Sequence, residues 1–271
     1  MLTPFYKFIY LSLCFGALLL SFNASSNARN DGLEAFKQGQ YETALSHWVP
    51  LGEAGDREIQ YNLGVMYNDG RGVEKNIEQA IKWLNLAAEQ DDADAQFRLG
   101  KIYVSGDGVD INLKTAERWI RLAALKNHAT ACFYLAQLYA HGKGLPKDND
   151  LALRWYYRAA ENGNTASMYN LGYIHEVGVG VPKNLPEAFR WYDKAARKGA
   201  MDAQVNLGRL YFNGKGITQD KIMAFVWFKL AALQNNLNAE KNAAFTFKQL
   251  NKKDQQQALA LTEDYKSKFI Q

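Results

Sequence analysis

The sequence predicts an all-α fold, an α-solenoid in which helical hairpins stack into a right-handed superhelix. The first observation behind this is periodicity: Leu63, Leu99, Leu135, Leu171 and Leu207 recur every 36 residues, and Trp83, Trp119, Trp155, Trp191 and Trp227 recur at the same interval. The second is the pattern inside each period, two apolar runs at helical spacing joined by a turn with paired glycines. The third is composition. With 48% hydrophobic and 22% charged residues, 5 Pro, 21 Gly and 2 Cys among 271, the chain can bury a core and is neither disordered, collagen-like nor stapled by disulfides. One hairpin cannot bury its own apolar face, so each must stack on its neighbours.

The chain opens on a targeting segment. Lys7 is the only charged residue before Arg29, and it precedes the apolar stretch Phe8 to Phe22, which ends in the small residues Asn23-Ala24-Ser25-Ser26-Asn27-Ala28. This is the layout of a secretory signal peptide, assigned to residues 1–28, with cleavage after Ala24 or Ala28 and a periplasmic or secreted product. The apolar run is shorter than the ~20 residues of a membrane span, and an uncleaved anchor is the alternative. Leu13 stands before Cys14 where lipidation needs a small residue, so no lipid anchor is expected. Without the leader only Cys132 remains; no internal disulfide can form, and Cys132 reads as a small core hydrophobe.

Residues 29–56 read as a divergent, tetratricopeptide-like hairpin, with Leu33, Ala35, Phe36 and Tyr41 leading to Ala44 and Trp48, the latter 35 residues before Trp83. Five 36-residue units fill 57–236. In the first, Ile59, Leu63, Met66 and Tyr67 form one helical stripe; the glycine turn from Asn68 to Val73 breaks it; Ile77, Ala80, Ile81, Leu84, Ala87 and Ala88 resume it. The glycine pairs 70/72, 106/108, 142/144, 178/180 and 214/216 fall where positive φ or close backbone approach is expected. They resemble a phosphate-cradling GxG, but that loop follows a strand and occurs once, whereas this turn follows a helix five times. Asn76, Asn112, Asp148, Asn184 and Asp220 are placed to cap the second helix of each unit. The alanine pairs 87/88, 123/124, 159/160, 195/196 and 231/232 allow close helix approach, and the repeating tryptophan supplies bulk beside them. Residues 237–271 leave the repeat but keep helical periodicity in Ala244, Phe247, Leu250, Ala258, Leu261, Tyr265 and Phe269, as a pair of capping helices would.

Leu63-Gly64, Tyr67, Gly70-Arg71-Gly72-Val73, Ala80, Trp83 and Ala87-Ala88 together resemble the Sel-one-like repeat, a longer-turned relative of the tetratricopeptide repeat. Ala136 replaces one glycine of the leucine-glycine pair and His175 one of the repeating tyrosines, departures that leave five consecutive units intact. The resemblance implies a solenoid that scaffolds protein partners, often exported in bacteria and linked to the envelope; it implies no activity.

The expected binding surface is a stripe on the first helices at offsets of 0, 4 and 7. Its candidate partner-binding residues are Tyr61, Phe97, Lys101, Phe133, Gln137, Tyr169, Tyr173, Arg209 and Phe212, a mixture of aromatic, amide and cationic groups suited to a peptide with an acidic group between apolar anchors. The competing reading packs Tyr61, Phe97, Phe133 and Tyr169 between adjacent units. The partner expected is a protein or peptide, with a cell-wall component as the alternative. The net charge of +4 comes from interspersed groups and points to neither nucleic acid nor an anionic membrane. No catalytic residue, metal site or cofactor is expected: no SxxK motif occurs, and His47, His128, His141 and His175 fall in separate units without metal-ligand spacing. An envelope hydrolase or peptidoglycan-interacting regulator is the alternative function.

Overall fold

The structure is a computed structural model that describes residues 26–142 and 145–269. The leader therefore lies outside the described residues except for its last three positions, as do Cys14, Ala24 and Gly144. Among the described residues there are fourteen helices and no strand: α1 (26–37), α2 (Tyr41–Glu53), α3 (Arg57–Asp69), α4 (Ile77–Glu89), α5 (Ala93–Ser105), α6 (Leu113–Leu125), α7 (Ala129–His141), α8 (Asn149–Glu161), α9 (Thr165–Val177), α10 (Leu185–Arg197), α11 (Met201–Asn213), α12 (Lys221–Leu233), α13 (Leu237–Phe247) and α14 (Lys252–Phe269). The described residues form two compact units that divide between Ala123 and Ala124. Within each, consecutive antiparallel hairpins pack side by side, the arrangement of an α-solenoid.

Both turn types follow from the residues named above. Asn76, Asp148, Asn184 and Asp220 accept from the amides of Gln79, Leu151, Glu187 and Met223, and Asn112 accepts from Thr115. Each relieves a first-turn donor that has no partner inside its helix. The first helices are capped likewise by Asp56, Asp92, His128 and Asn164, the histidine accepting through Nδ1. The first glycine of each turn is a left-handed C-cap, with φ of 69° at Gly70 and 87° at Gly178. At Gly72, Gly108, Gly180 and Gly216 the second glycine meets the start of an earlier second helix: a Cβ on Gly72 would meet the Tyr41 Cβ, and one on Gly216 would lie 2.5 Å from the Leu185 carbonyl carbon.

The repeat leucines are fully buried, as are Ala87, Ala123, Ala159 and Ala195, which set the approach of neighbouring helices. The glycine after each leucine has its own partner. A Cβ on Gly64, Gly100, Gly172 or Gly208 would come within 2.8 Å of Leu84, Ile120, Tyr192 or Phe228, large side chains that themselves recur every 36 residues. Gln60, Gln96 and Gln204 are buried, and their Nε2 atoms donate to the carbonyls of Gly52, Ala88 and Ala196 at 2.9, 3.0 and 3.2 Å. Each ties the start of a first helix to the end of the preceding second helix. Cys132 occupies the same register, buried, with Sγ 3.4 Å from the Ala124 carbonyl. At the end of the second unit, α14 lays Tyr265 and Phe269 against the fully buried Trp227.

Candidate partner-binding surface

The stripe residues have separate fates. In the first unit, Tyr61 is half-buried: Arg98 Nε donates to its hydroxyl at 3.3 Å, and the guanidinium sits 5.9 Å from its ring. Arg98 also reaches Asp69, at 3.7 Å. Phe97 is half-buried, while Lys101, one turn further along α5, is exposed.

In the second unit, Phe133 is half-buried against Tyr156, with ring centroids 6.1 Å apart, and Tyr169 is half-buried against Tyr192 at 5.8 Å. Tyr61 thus meets a side chain of the next unit, whereas Phe133 and Tyr169 pack against the second helix of their own unit. Burial pushes the hydroxyls of Tyr156, Tyr169 and Tyr192 above the ordinary tyrosine range, and the Glu176 carboxylate pushes Tyr192 further. Arg209 is a positioned cation rather than a free one. Its Nη2 donates to both oxygens of Glu176, at 2.6 and 2.7 Å, and the Tyr192 hydroxyl donates to the same carboxylate at 3.0 Å. Glu176 and Arg209 are 33 residues apart, on first helices of consecutive units, so the bond closes the stripe between α9 and α11.

On either side the stripe opens. Gln137 and Tyr173 line a cleft of 340 Å³ among α7, α8 and α9, floored by Tyr156, Ala152 and Ile174, with Asn170, His141 and Lys147 at its polar edge. Tyr173 is 49% exposed, enough to meet a partner. Val205, Arg209 and Phe212 line a second cleft of 290 Å³ among α11, α12 and α13, walled by Phe228 and Phe245. At the first opening Ala140 stands where the next unit has Glu176, so α7 has no carboxylate there to reach toward Tyr173, which stands where the unit after it has Arg209.

The described residues hold no group of three or more His, Cys, Asp and Glu placed to share a metal ion, and no helix among them is long and apolar enough to cross a membrane. Cys132 is spent on the Ala124 carbonyl, and burial raises its thiol pKa, so it is a poor nucleophile. His175 is buried with Nε2 2.6 Å from the Tyr157 hydroxyl.

Stacked two-helix units with side-chain clefts along their first helices define an α-solenoid of the protein-interaction class. The Sel1 repeat model matches residues 58–92, 93–128, 129–164, 165–199 and 202–236. The chain belongs to the Sel1 repeat family, whose fold serves generally as a protein-interaction scaffold. It is similar to a Sel1 repeat protein from Oxalobacter formigenes, at 34% identity over 90% of this chain and 98% of that one, with a TM-score of 0.69. It is similar also to c5321, a protective antigen of uropathogenic Escherichia coli with the same type of fold, at 30% identity over 89% of this chain and 57% of that one, with a TM-score of 0.50. A sel1-like repeat-containing protein of Acanthamoeba polyphaga mimivirus is 49% identical over 39 residues, which is 14% of this chain and 7% of the viral protein. The chain thus matches only a small part of that viral relative.

Proposed function

We propose that this protein is an exported scaffold that binds a segment of a protein partner along the stripe of its first helices. The observation that carries the reading is the cleft among α7, α8 and α9, where Gln137 and Tyr173 stand over an apolar floor. Amide side chains offer a donor and an acceptor together, which matches the paired needs of a peptide group. The tyrosines offer apolar area with few rotors to immobilise. Export rests on the layout of residues 1–28, and the mature chain would begin after Ala24 or Ala28 in the periplasm or outside the cell.

The test is a photo-crosslinking amino acid at Tyr173, compared with one at the exposed Arg190 on a second helix, in cells of the native source. A discrete protein adduct at position 173 that is absent at 190 is expected. Equal labelling at both sites, or adducts at 190 alone, would place the partner elsewhere. Sequencing the N-terminus of the same material tests removal of the leader; a retained Met1 would contradict cleavage after Ala24 or Ala28.

A further inference from the structure

The stripe does not stop where the Sel1 repeats stop. The last matched repeat ends at residue 236, yet adding the 36-residue period to Val205, Arg209 and Phe212 lands on Lys241, Phe245 and Lys248 of the next helix. All three are exposed, Phe245 by 60%. Helix α13 attaches to its unit through Ala239, Ala243 and Thr246, which are buried, so attachment requires neither Phe245 nor the lysines. Phe245 instead forms a wall of the second cleft, with its ring centroid 6.0 Å from that of Phe212.

We propose that α11 and α13 together form a docking site for an acidic peptide segment carrying a large apolar side chain. The inference rests on the stripe being the partner-binding face and adds the end at which the partner's charge is read. The apolar side chain enters between Phe212, Phe228 and Phe245. Its acidic neighbours meet Lys241 and Lys248, which lie four residues before and three after Phe245, on the same helix face. Among the described residues neither lysine has an acidic partner within ion-pair distance, and no residue lining the cleft is acidic. Arg209 adds donors rather than net charge: Glu176 neutralises it through Nη2, and the grip of Glu176, itself held by the Tyr192 hydroxyl, fixes the guanidinium beside the cleft that it lines. The acids of these two helices, Asp202 and Glu240, sit in their first turns.

The experiment titrates the full chain into a short fluorescein-labelled peptide, one tryptophan flanked by glutamates, and follows fluorescence anisotropy. Saturable, salt-sensitive binding is expected. It should weaken about tenfold or more in Lys241→Glu/Lys248→Glu and in Phe245→Ser, changes at exposed positions whose folding circular dichroism verifies. Peptides with lysine for glutamate, or glycine for tryptophan, should not bind. Tyr173→Ala in the α7–α9 cleft separates the two readings: binding lost there but unaffected by the α13 variants keeps the stripe and overturns this site. Binding unaffected by any of the three variants, or no binding, also overturns it. Phosphatidylglycerol vesicles run in parallel, and vesicle binding lost in the lysine variants without peptide binding would assign the patch to a membrane surface instead.

Discussion

Gly172 shows how much a single position constrains the fold. A Cβ there would sit 2.5 Å from the Tyr192 ring, in the interior of a hairpin where neighbours leave no room to retreat. Gly172→Val should cost about 1–3 kcal/mol in urea unfolding, and Gly172→Ala less, since the preceding unit carries Ala136 and Tyr156 at the two equivalent positions. A valine variant as stable as the parent would contradict the packing. This constraint was half legible: the glycines recur beside the leucines, but the partner of each is twenty residues away on the second helix. The buried glutamines were overlooked because one amide on an apolar stripe looks like an ordinary polar position; their recurrence at 60, 96 and 204 was the available signal.

At the scale of elements, the helix caps and glycine turns were readable because each depends on residues within one or two turns. The α13 face was read less well. Ala244 is exposed, and the buried face runs through Ala239, Ala243 and Thr246, because packing against α12 rotates the helix away from its most apolar reading. Which stripe residues are open was not legible, since it depends on what the next hairpin presents. Arg209 looks like a free cation in sequence, and Glu176 at a position held elsewhere by Asn68, Val104, Ala140 and Phe212 was the one hint that it is engaged. A double-mutant cycle of Glu176→Gln and Arg209→Met should give a coupling of about 1 kcal/mol or more in thermal unfolding. Additivity of the two changes would mean that the Arg209–Glu176 contact contributes nothing to holding α9 and α11 together.

For the molecule as a whole, the buried phenols predict how stability responds to base. Burial, aided by Glu176, raises Tyr192, and burial, aided by Asp193, pushes Tyr211 up to about 12. A group whose folded pKa is raised keeps its contribution below the unfolded value, near 10 for tyrosine, and loses it as pH climbs through the folded one. The unfolding midpoint should therefore hold to about pH 9.5 and fall between about pH 10 and 12, with tyrosinate absorbance lagging behind that of free tyrosine. Complete ionisation near pH 10 with the helices intact would contradict it. The same whole-chain view explains why function was less legible than fold: the 36-residue period specifies the hairpins five times over, whereas each stripe position varies from unit to unit and takes its meaning from side chains one hairpin away.

The central claim is that the first helices present the face a partner occupies. Backbone amide chemical-shift mapping of the isotopically labelled chain, with the glutamate–tryptophan peptide added stepwise, tests it most directly. The predicted perturbations cluster on residues 205–213 and 237–248; shifts concentrated instead around Arg154, Arg190 and Trp191 on the second helices would contradict the account.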